Sequence, residues 1–280
     1  FAHFVFGKEH TGGEIMKDKG QTSNFQYLIA VIAVIALIIS LGSILGVGNS
    51  ISEDEFEDLK NTVSNLEGSN PSSPEERSIT VKGSSTVLPI AKDSAEAWEN
   101  QNPNDSIGVS AGGSGGGIQA LIDGTTDIAD ASRPMKESEK EACEDAGVNP
   151  IRHSIAKGAV VIVVHPNNPV DNLSTEQARK VFSGEISDWS ELGWSDGGQI
   201  QIYHRESGSG TRETFVTGVM GTEKVTSGAS TKQSNGAMRQ SISQNEHGIG
   251  YVGLGYVDNS LKALKLDGVM PSKQTAASGD

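Results

Sequence analysis

The sequence contains very little cysteine and few basic residues. Cys143 is the only cysteine among 280 residues, so no disulfide can form within the chain. Lys and Arg together number 22 against 36 Asp and Glu, which gives a formal net charge of −14. This charge excludes nucleic acid as a partner, because binding to a phosphodiester backbone requires a basic surface. It does not exclude a small anion held in a pocket by backbone amides and one or two arginines.

Long hydrophobic runs are also absent, with one exception at residues 27–47. This run carries no charge, and about 20 such residues span a bilayer as a helix. Lys17 and Lys19 precede it, and an acidic stretch at 53–58 follows it. By the positive-inside rule, residues 1–26 are expected in the cytoplasm, 27–47 in the lipid bilayer as a transmembrane anchor, and the rest outside. A cleaved signal peptide is the alternative interpretation.

The segments on either side of the apolar run are polar. Residues 48–78 combine an acidic stretch with a Pro/Ser-rich linker, which predicts a short stalk that holds the following domain off the membrane. Met16 is followed by Lys-Asp-Lys and resembles an initiator. The hypothesis that follows is that residues 1–15 are upstream translated sequence.

From Ile79 onward, short β-rich runs alternate with helical segments. This alternation predicts an α/β fold with a mainly parallel sheet. The run Ala159–Val164 is continuously apolar, as expected for a strand covered on both faces. A capping box at Ser174–Gln177 marks the start of a helix.

Three loops share one design, in which a strand ends, a turn rich in Gly, Ser and Thr follows, and a helix begins. They lie at 83–89, 112–117 and 207–211. Helix N-termini present unpaired N–H groups, glycine lets the backbone approach an anion, and hydroxyls add donors. In α/β sheets such loops meet at the carboxyl ends of strands. Together they predict a site for a tetrahedral oxyanion held mostly by neutral donors.

Two arginines lie next to these loops. Arg205 immediately precedes the third loop, and Arg133 follows the strand after the second. The planar guanidinium group binds oxyanions through two parallel hydrogen bonds. Arg205 is therefore predicted to supply the fixed charge of the site. For Arg133 two roles remain possible: it contacts the anion, or it forms an ion pair on the surface.

An enzymatic interpretation rests on one motif. Residues 112–116 match the nucleophile-elbow pattern G-x-S-x-G around Ser114, but five of the six residues at 112–117 are glycine, so the match is nearly automatic. No histidine stands in a recognisable triad context, and no spacing of His, Asp and Glu indicates a metal cluster. The sequence therefore predicts a protein that is not an enzyme and carries no cofactor or metal. A phosphatase is the less favoured alternative.

Five segments carry a resemblance to a known family. In order, KGSSTVLPIA, GGSGGGIQAL, DIADASRPMKESE, VFSGEISDW and HRESGSGTRETF resemble the substrate-binding proteins of phosphate ABC transporters, in the periplasmic binding protein superfamily. The resemblance runs from about Ile79 to the end of the chain. It implies a two-lobed Venus-flytrap fold, with lobe 1 at 79–158, lobe 2 at 159–248, and a return to lobe 1 at 249–280 that looks truncated.

The resemblance also implies which residues bind phosphate. The residues of this chain at, or directly beside, the ligand-binding positions of the family's motifs are Ser85, Thr86, Val87, Ser114, Ser132, Arg133, Arg205, Ser209, Gly210 and Thr211. Some family members place an aspartate directly after the serine of the third motif, where it accepts the proton of hydrogen phosphate. Here Arg133 follows Ser132, so this means of rejecting sulfate is in question unless Asp130 or Glu206 replaces it.

The resulting expectation is a membrane-anchored protein whose binding domain lies on the extracytoplasmic side. It captures inorganic phosphate and delivers it to the permease subunits of an ABC importer. The alternative from another class is an anchored sensor or binding module for a different tetrahedral oxyanion, such as sulfate or arsenate.

Overall fold

A computed structural model describes residues 2–8 and 77–278, which form two α/β lobes. Each lobe contains a five-stranded sheet, and a two-stranded sheet accompanies the second. The predicted two-lobed α/β architecture is therefore confirmed. The described residues contain no helix that is both long and apolar enough to span a membrane.

Lobe 1 contains five strands and three helices. The strands are β1 (Ala2–Lys8), β2 (Arg77–Gly83), β3 (Asp105–Ala111), β4 (Ile128–Ala131) and β5 (Pro150–Lys157). The helices are α1 (Leu88–Glu99), α2 (Gly113–Ile122) and α3 (Glu137–Asp145). The strand order is β3-β2-β4-β1-β5; β2 runs parallel to β3 and β4, whereas β1 is antiparallel to both of its neighbours.

Lobe 2 continues from residue 160. Its strands are β6 (Val160–Val164), β7 (Asn172–Leu173), β8 (Gln201–Arg205), β9 (Ser230–Lys232), β10 (Gly248–Gly253), β11 (Lys262–Ala263) and β12 (Lys265–Leu266). Its helices are α4 (Thr175–Ser183), α5 (Gly210–Phe215) and α6 (Asn235–Ser243), and α7 (Lys273–Ser278) follows. The main sheet has the order β11-β6-β10-β8-β9. It is mixed rather than mainly parallel, since β10 and β11 are antiparallel to β6.

Local sequence signals place several of these elements. Alternate residues of β6 pack into two different cores, with Ile162 and Val164 in one and Val161 and Val163 in the other. This is the two-sided burial that the apolar run predicted. The capping box at the start of α4 is also present, because the Ser174 hydroxyl accepts a hydrogen bond from the Gln177 amide at 3.0 Å.

The structure differs from the predicted return to lobe 1 at residues 249–280. β10 lies inside the lobe 2 sheet between β6 and β8, and β11 pairs with β6. Every residue of β10 is buried, and Ile249 and Tyr251 belong to the main core of lobe 2. Burial on both faces fixes this strand at the centre of lobe 2, which therefore extends at least to residue 266.

The N-terminal strand also differs from its predicted place. Residues 2–8 lie between β4 and β5 in lobe 1, whereas sequence analysis assigned residues 1–26 to the cytoplasm. A single membrane crossing at 27–47 would put β1 and the rest of lobe 1 on opposite sides of a bilayer. The lobe 1 sheet with β1 in it is therefore incompatible with a single membrane crossing at residues 27–47. The predicted anchor and most of the predicted stalk lie outside the described residues.

Candidate functional site

The sheet topology brings the first two Gly/Ser/Thr loops to one edge of lobe 1. Because β2, β3 and β4 are parallel, their carboxyl ends meet at the same edge of the sheet. The loop at 84–87 follows β2, Gly112 joins β3 to α2, and Ser132 follows β4. The third loop follows β8 of lobe 2, at the carboxyl end of that strand. All three loops therefore lie where a ligand between the lobes would be expected.

Three serine side chains form a buried hydroxyl cluster on lobe 1. The Ser84 hydroxyl donates to the Ser132 hydroxyl at 3.0 Å, and the Ser114 and Ser132 hydroxyls lie 3.4 Å apart. The backbone amide of Ser132 donates to the Ser114 hydroxyl at 3.1 Å. None of the three residues is more than 3% exposed. The Ser114 hydroxyl thus bonds with Ser132 and not with a histidine, unlike the nucleophile of a hydrolase.

Lobe 2 approaches this cluster through Gly210. A Cβ atom at this position would lie 2.5 Å from the Ser132 hydroxyl oxygen and 2.7 Å from that of Ser114, so only glycine fits without a shift. The amide of Gly115 donates to the carbonyl of Gly208 at 3.0 Å. The second and third loops are therefore in direct contact across the lobes.

The first loop also contacts lobe 2. The hydroxyls of Thr86 and Thr211 lie 2.8 Å apart, and either can be the donor. Two other predicted ligands have local roles: the Val87 amide donates to the Ser84 carbonyl at 3.1 Å, and the Ser209 hydroxyl caps α5 by accepting from the Arg212 amide at 3.1 Å. A bound anion would compete with the Ser84 carbonyl for the Val87 amide, whereas the Ser209 hydroxyl accepts in its local bond and can still donate its own proton to an anion.

Arg205 is buried where the first loop meets lobe 2. Its Nε and Nη2 atoms each donate to one carboxylate oxygen of Glu206 at 2.9 Å, and Nη2 also donates to the Ser85 hydroxyl at 3.3 Å. Nη1 is buried and has no hydrogen-bond partner within the described part of the chain. A guanidinium N–H in this state can donate to an anion without breaking an existing bond.

Arg133 does not join this group. Its Nη1 and Nη2 atoms donate to the two carboxylate oxygens of Glu139 at 2.7 and 2.6 Å, and its Nε lies 3.3 Å from a carboxylate oxygen of Glu213. Glu139 is on lobe 1 and Glu213 is on α5 of lobe 2. The guanidinium is thus engaged by carboxylates, and the prediction that Arg133 binds the anion is not supported by this position.

Asn235 is a site residue that sequence reasoning missed. It is the first residue of α6 and is fully buried. Its Nδ2 donates to the hydroxyls of Ser85 and Thr86 at 3.1 and 2.8 Å, and its Oδ1 accepts from the Gly253 amide at 3.1 Å. Ser234 caps this helix, so the strand–cap–helix pattern of the three recognised loops recurs here without a glycine-rich turn. That cap was the available signal.

Two titratable groups near the loops have shifted pKa values. Burial raises the pKa of Asp130 to about 7, against a smaller lowering by the Ser84 amide. Burial, helped by the charges of Arg212 and Arg205, lowers the pKa of His204 to about 4. The His204 Nδ1 lies 2.6 Å from the Tyr251 hydroxyl. His204 is therefore neutral at physiological pH and supplies no positive charge to the site.

No set of metal ligands accompanies the hydroxyl cluster. Among residues 2–8 and 77–278, no three or more His, Cys, Asp or Glu side chains are grouped so that they could hold a metal ion. Hydroxyls, amides and one buried arginine dominate the arrangement, which fits the recognition of a small oxyanion.

The sequence is similar to proteins that bind phosphate. The profile of the PBP superfamily domain matches residues 68–279. The chain is 31% identical over 204 residues to the phosphate-binding protein PstS of Bacillus subtilis, and 31% identical over 214 residues to protein SphX of Synechococcus elongatus. Each alignment covers 72% of this chain, and they cover 66% and 64% of those relatives. The chain thus spans just under two thirds of their length.

Solved structures with a similar fold include the following two. One, from Clostridium perfringens, is described as a phosphate ABC transporter substrate-binding protein with bound phosphate; the TM-score is 0.66 and the identity 33%, over 72% of this chain and 81% of that one. The other is an ABC-type phosphate transport receptor from Vibrio cholerae, with a TM-score of 0.52 and 30% identity over the same shares. Both match across most of the described residues.

Proposed function

Because the chain belongs to the PBP superfamily, we propose that it binds inorganic phosphate between its two lobes, outside the cytoplasm, and delivers it to the permease subunits of an ABC importer. In this proposal the protein is a carrier and not an enzyme. The names of the relatives from Bacillus subtilis and Clostridium perfringens, which both specify phosphate, support this choice of anion.

The observation that supports the proposal most is the environment of Arg205. It is 1% exposed, its Nη1 lacks a partner in the described part of the chain, and its Nη2 donates to the Ser85 hydroxyl of the first loop. Glu206 already offsets its charge, so the remaining recognition falls to neutral donors. The proposed ligand set is Ser84, Ser85, Thr86, Val87, Ser114, Ser132, Arg205, Ser209, Gly210, Thr211 and Asn235.

Closure of the lobes follows from how these donors are divided. The serine cluster belongs to lobe 1, whereas Arg205, Gly210 and Thr211 belong to lobe 2. One anion contacts both sets only when the lobes meet, so binding stabilises the closed form. The contact between Thr86 and Thr211 is one that closure makes.

The test is calorimetric titration of the Arg205→Ala variant with inorganic phosphate. Loss of a charge-assisted hydrogen bond in a buried site is expected to weaken binding by about 2–3 kcal/mol, or roughly 30- to 150-fold. Arg205→Lys keeps the charge but loses the planar fork, and an intermediate loss is expected.

The matched control is Lys180→Ala. Lys180 pairs with Glu176 at 2.9 Å on the surface of lobe 2, with both side chains more than 40% exposed. Its removal should leave phosphate affinity unchanged. A folded Arg205→Ala protein that binds phosphate as tightly as the parent would refute the proposed site.

We also propose that the lobes lie outside the cytoplasm, with residues 27–47 associated with the bilayer. The position of β1 requires both ends of the 9–76 segment on the same side. Cysteines introduced singly as His10→Cys and Ser52→Cys, in a Cys143→Ser background, test this in intact cells. We expect an impermeant thiol reagent to label both positions. Labelling of Ser52→Cys alone would show that residue 10 lies in the cytoplasm, and it would therefore support a single membrane crossing instead.

A further inference from the structure

Asp130 is a buried carboxylic acid beneath the first loop, and the proposed ligand set does not use it. It lies in β4, is 1% exposed, and neither carboxylate oxygen has a hydrogen-bond partner within the described residues. The charged form of such a group is unfavourable, because its hydration is lost and the Ser84 amide offsets only a smaller part of that loss. This environment therefore favours the neutral, protonated acid.

The backbone makes room for this carboxyl at Gly83. Gly83, the last residue of β2, pairs with Asp130 across the sheet. A Cβ at Gly83 would lie 2.5 Å from Oδ1 and 2.0 Å from the carbonyl oxygen of Asp130, and its φ of +154° also favours glycine. The next amide, of Ser84, donates to the Asp130 carbonyl at 3.0 Å. The carboxyl therefore lies directly against the start of the loop at 84–87.

Tyr256 of lobe 2 bonds to the same loop that lies against Asp130. The Tyr256 hydroxyl donates to the Ser85 carbonyl at 2.5 Å. Burial raises the pKa of Tyr256 most; the charges of Arg239 and Arg205 lower it, and that of Asp130 raises it. The charges of Asp130 and Arg205 therefore both act on Tyr256, and Tyr256 is bonded to the loop at 84–87, which is part of the proposed anion site.

The remaining elements packed around Asp130 present no close counter-charge among the described residues. On its other side in the sheet, Asp130 pairs with Val5 of β1. In β2, Lys82 lies against Gly112 and pairs with Ala129. The charged residues of α1 nearest this loop are exposed, and they are Lys92, Asp93 and Glu96.

We propose that Asp130 takes up a proton when phosphate binds, which makes it a positioning residue that links affinity to pH. This inference rests on the proposed function. An anion at the 84–87 loop brings negative charge close to a poorly hydrated carboxyl, so it favours the protonated acid. By thermodynamic reciprocity, the protonated acid favours the anion to the same degree.

The pH range follows from the acidity of this group. Burial raises the pKa of Asp130 to about 7, so in the free protein it titrates near neutral pH. A bound anion raises that pKa further. Well below pH 7 the proton is already present and binding needs none, whereas between the pKa of the free protein and the higher pKa of the complex each binding event takes up as much as one proton.

The experiment compares the full 280-residue protein with its Asp130→Asn variant, titrated with inorganic phosphate from pH 5.5 to pH 9. Asparagine has nearly the same shape and stays neutral throughout. Ionisation of phosphate itself affects both proteins alike, so the ratio of their Kd values isolates Asp130. We expect a ratio within about twofold at pH 5.5, and a parent that becomes weaker by up to about tenfold per pH unit above pH 7. Calorimetry at pH 8 in buffers of different ionisation enthalpy should show that the variant takes up fewer protons than the parent, by as much as one per phosphate bound.

The control is Asp127→Asn, which precedes the opposite end of β4 and accepts hydrogen bonds from the amide and hydroxyl of Thr80 at 2.8 Å. It should keep the pH profile of the parent. If Asp130→Asn does not fold, Asp130→Ser provides a smaller neutral replacement with the same expected ratio. A Kd ratio independent of pH would overturn this inference alone, whereas absence of phosphate binding in every protein would overturn the proposed function and this inference with it.

Discussion

The two lobes differ in how their cores are built. Among the described residues of lobe 1, the two hydrophobic clusters contain six and four buried residues, and Phe4 and Phe6 of β1 supply two of the six. In lobe 2 the clusters contain sixteen and seven buried residues, all from one continuous stretch between 160 and 266. Among the residues that the structure describes, the core of lobe 2, which carries Arg205, is built from this one stretch, whereas lobe 1 depends on a strand from a distant part of the chain.

The largest expected effect is a loss of stability of lobe 1 in the Phe6→Ala variant, which removes a buried side chain of β1. Phe6 is 2% exposed, and removal of a buried aromatic ring costs about 3–5 kcal/mol. Urea unfolding followed by the fluorescence of Trp98, which packs in lobe 1, should show a lower midpoint. The matched variant Phe182→Ala in lobe 2 should instead shift the transition of Trp189. A Trp98 transition unmoved by Phe6→Ala would mean that lobe 1 does not need β1.

The lobes should also respond to pH in opposite directions. Folded His204 in lobe 2 has a lowered pKa of about 4, so its stabilisation is present above pH 6.5 and is lost as the pH falls toward 4. Folded Asp130 in lobe 1 has a raised pKa of about 7, so its stabilisation is present below pH 4 and is lost as the pH rises through 7. Each change amounts to about 3–4 kcal/mol.

The measurement is the free energy of unfolding between pH 4 and pH 8. His204→Gln should reduce the loss of unfolding free energy that occurs as the pH falls from 6.5 toward 4. Asp130→Asn should reduce the loss that occurs as the pH rises from 4 through 7. Equal pH dependence in the parent and both variants would show that neither group is charged differently in the folded and unfolded states.

The smallest expected effect concerns the ion pairs that join the lobes. Glu213 of lobe 2 lies 3.3 Å from Nε of Arg133 and 3.0 Å from Nζ of Lys136 in lobe 1. Because Glu213 and Lys136 are well exposed, Glu213→Gln should weaken phosphate binding by less than about 1 kcal/mol, and less at high salt. Calorimetry at two salt concentrations measures this. Glu176→Gln breaks an exposed pair with Lys180 in which both partners belong to lobe 2, so it should leave phosphate affinity unchanged. An equal effect of the two variants would exclude a role of the Glu213 ion pairs in closure of the lobes.

Local patterns predicted much of the fold and part of the site. The apolar run of β6, the cap of α4 and the Gly/Ser/Thr loops depend on neighbours within a few residues, and the structure contains all of them. Arg205 was predicted for the same reason, because it adjoins its loop. Arg133 also adjoins a loop, but Glu139 and Glu213 engage it, and no local pattern reports which carboxylate reaches a guanidinium.

The sequence by itself determined the α/β class, the loops with their hydroxyls, and the arginine next to the third loop, because helix caps and strand burial are set by adjacent residues. The two-lobed arrangement was expected only from the resemblance to a known family. Only the tertiary structure decided that β10 and β11 belong to lobe 2, that β1 completes lobe 1, and that Asn235 joins the site. It also decided that Asp130 is buried without a partner. Strand pairing and desolvation depend on residues far apart in the chain, and these are in contact only after it folds.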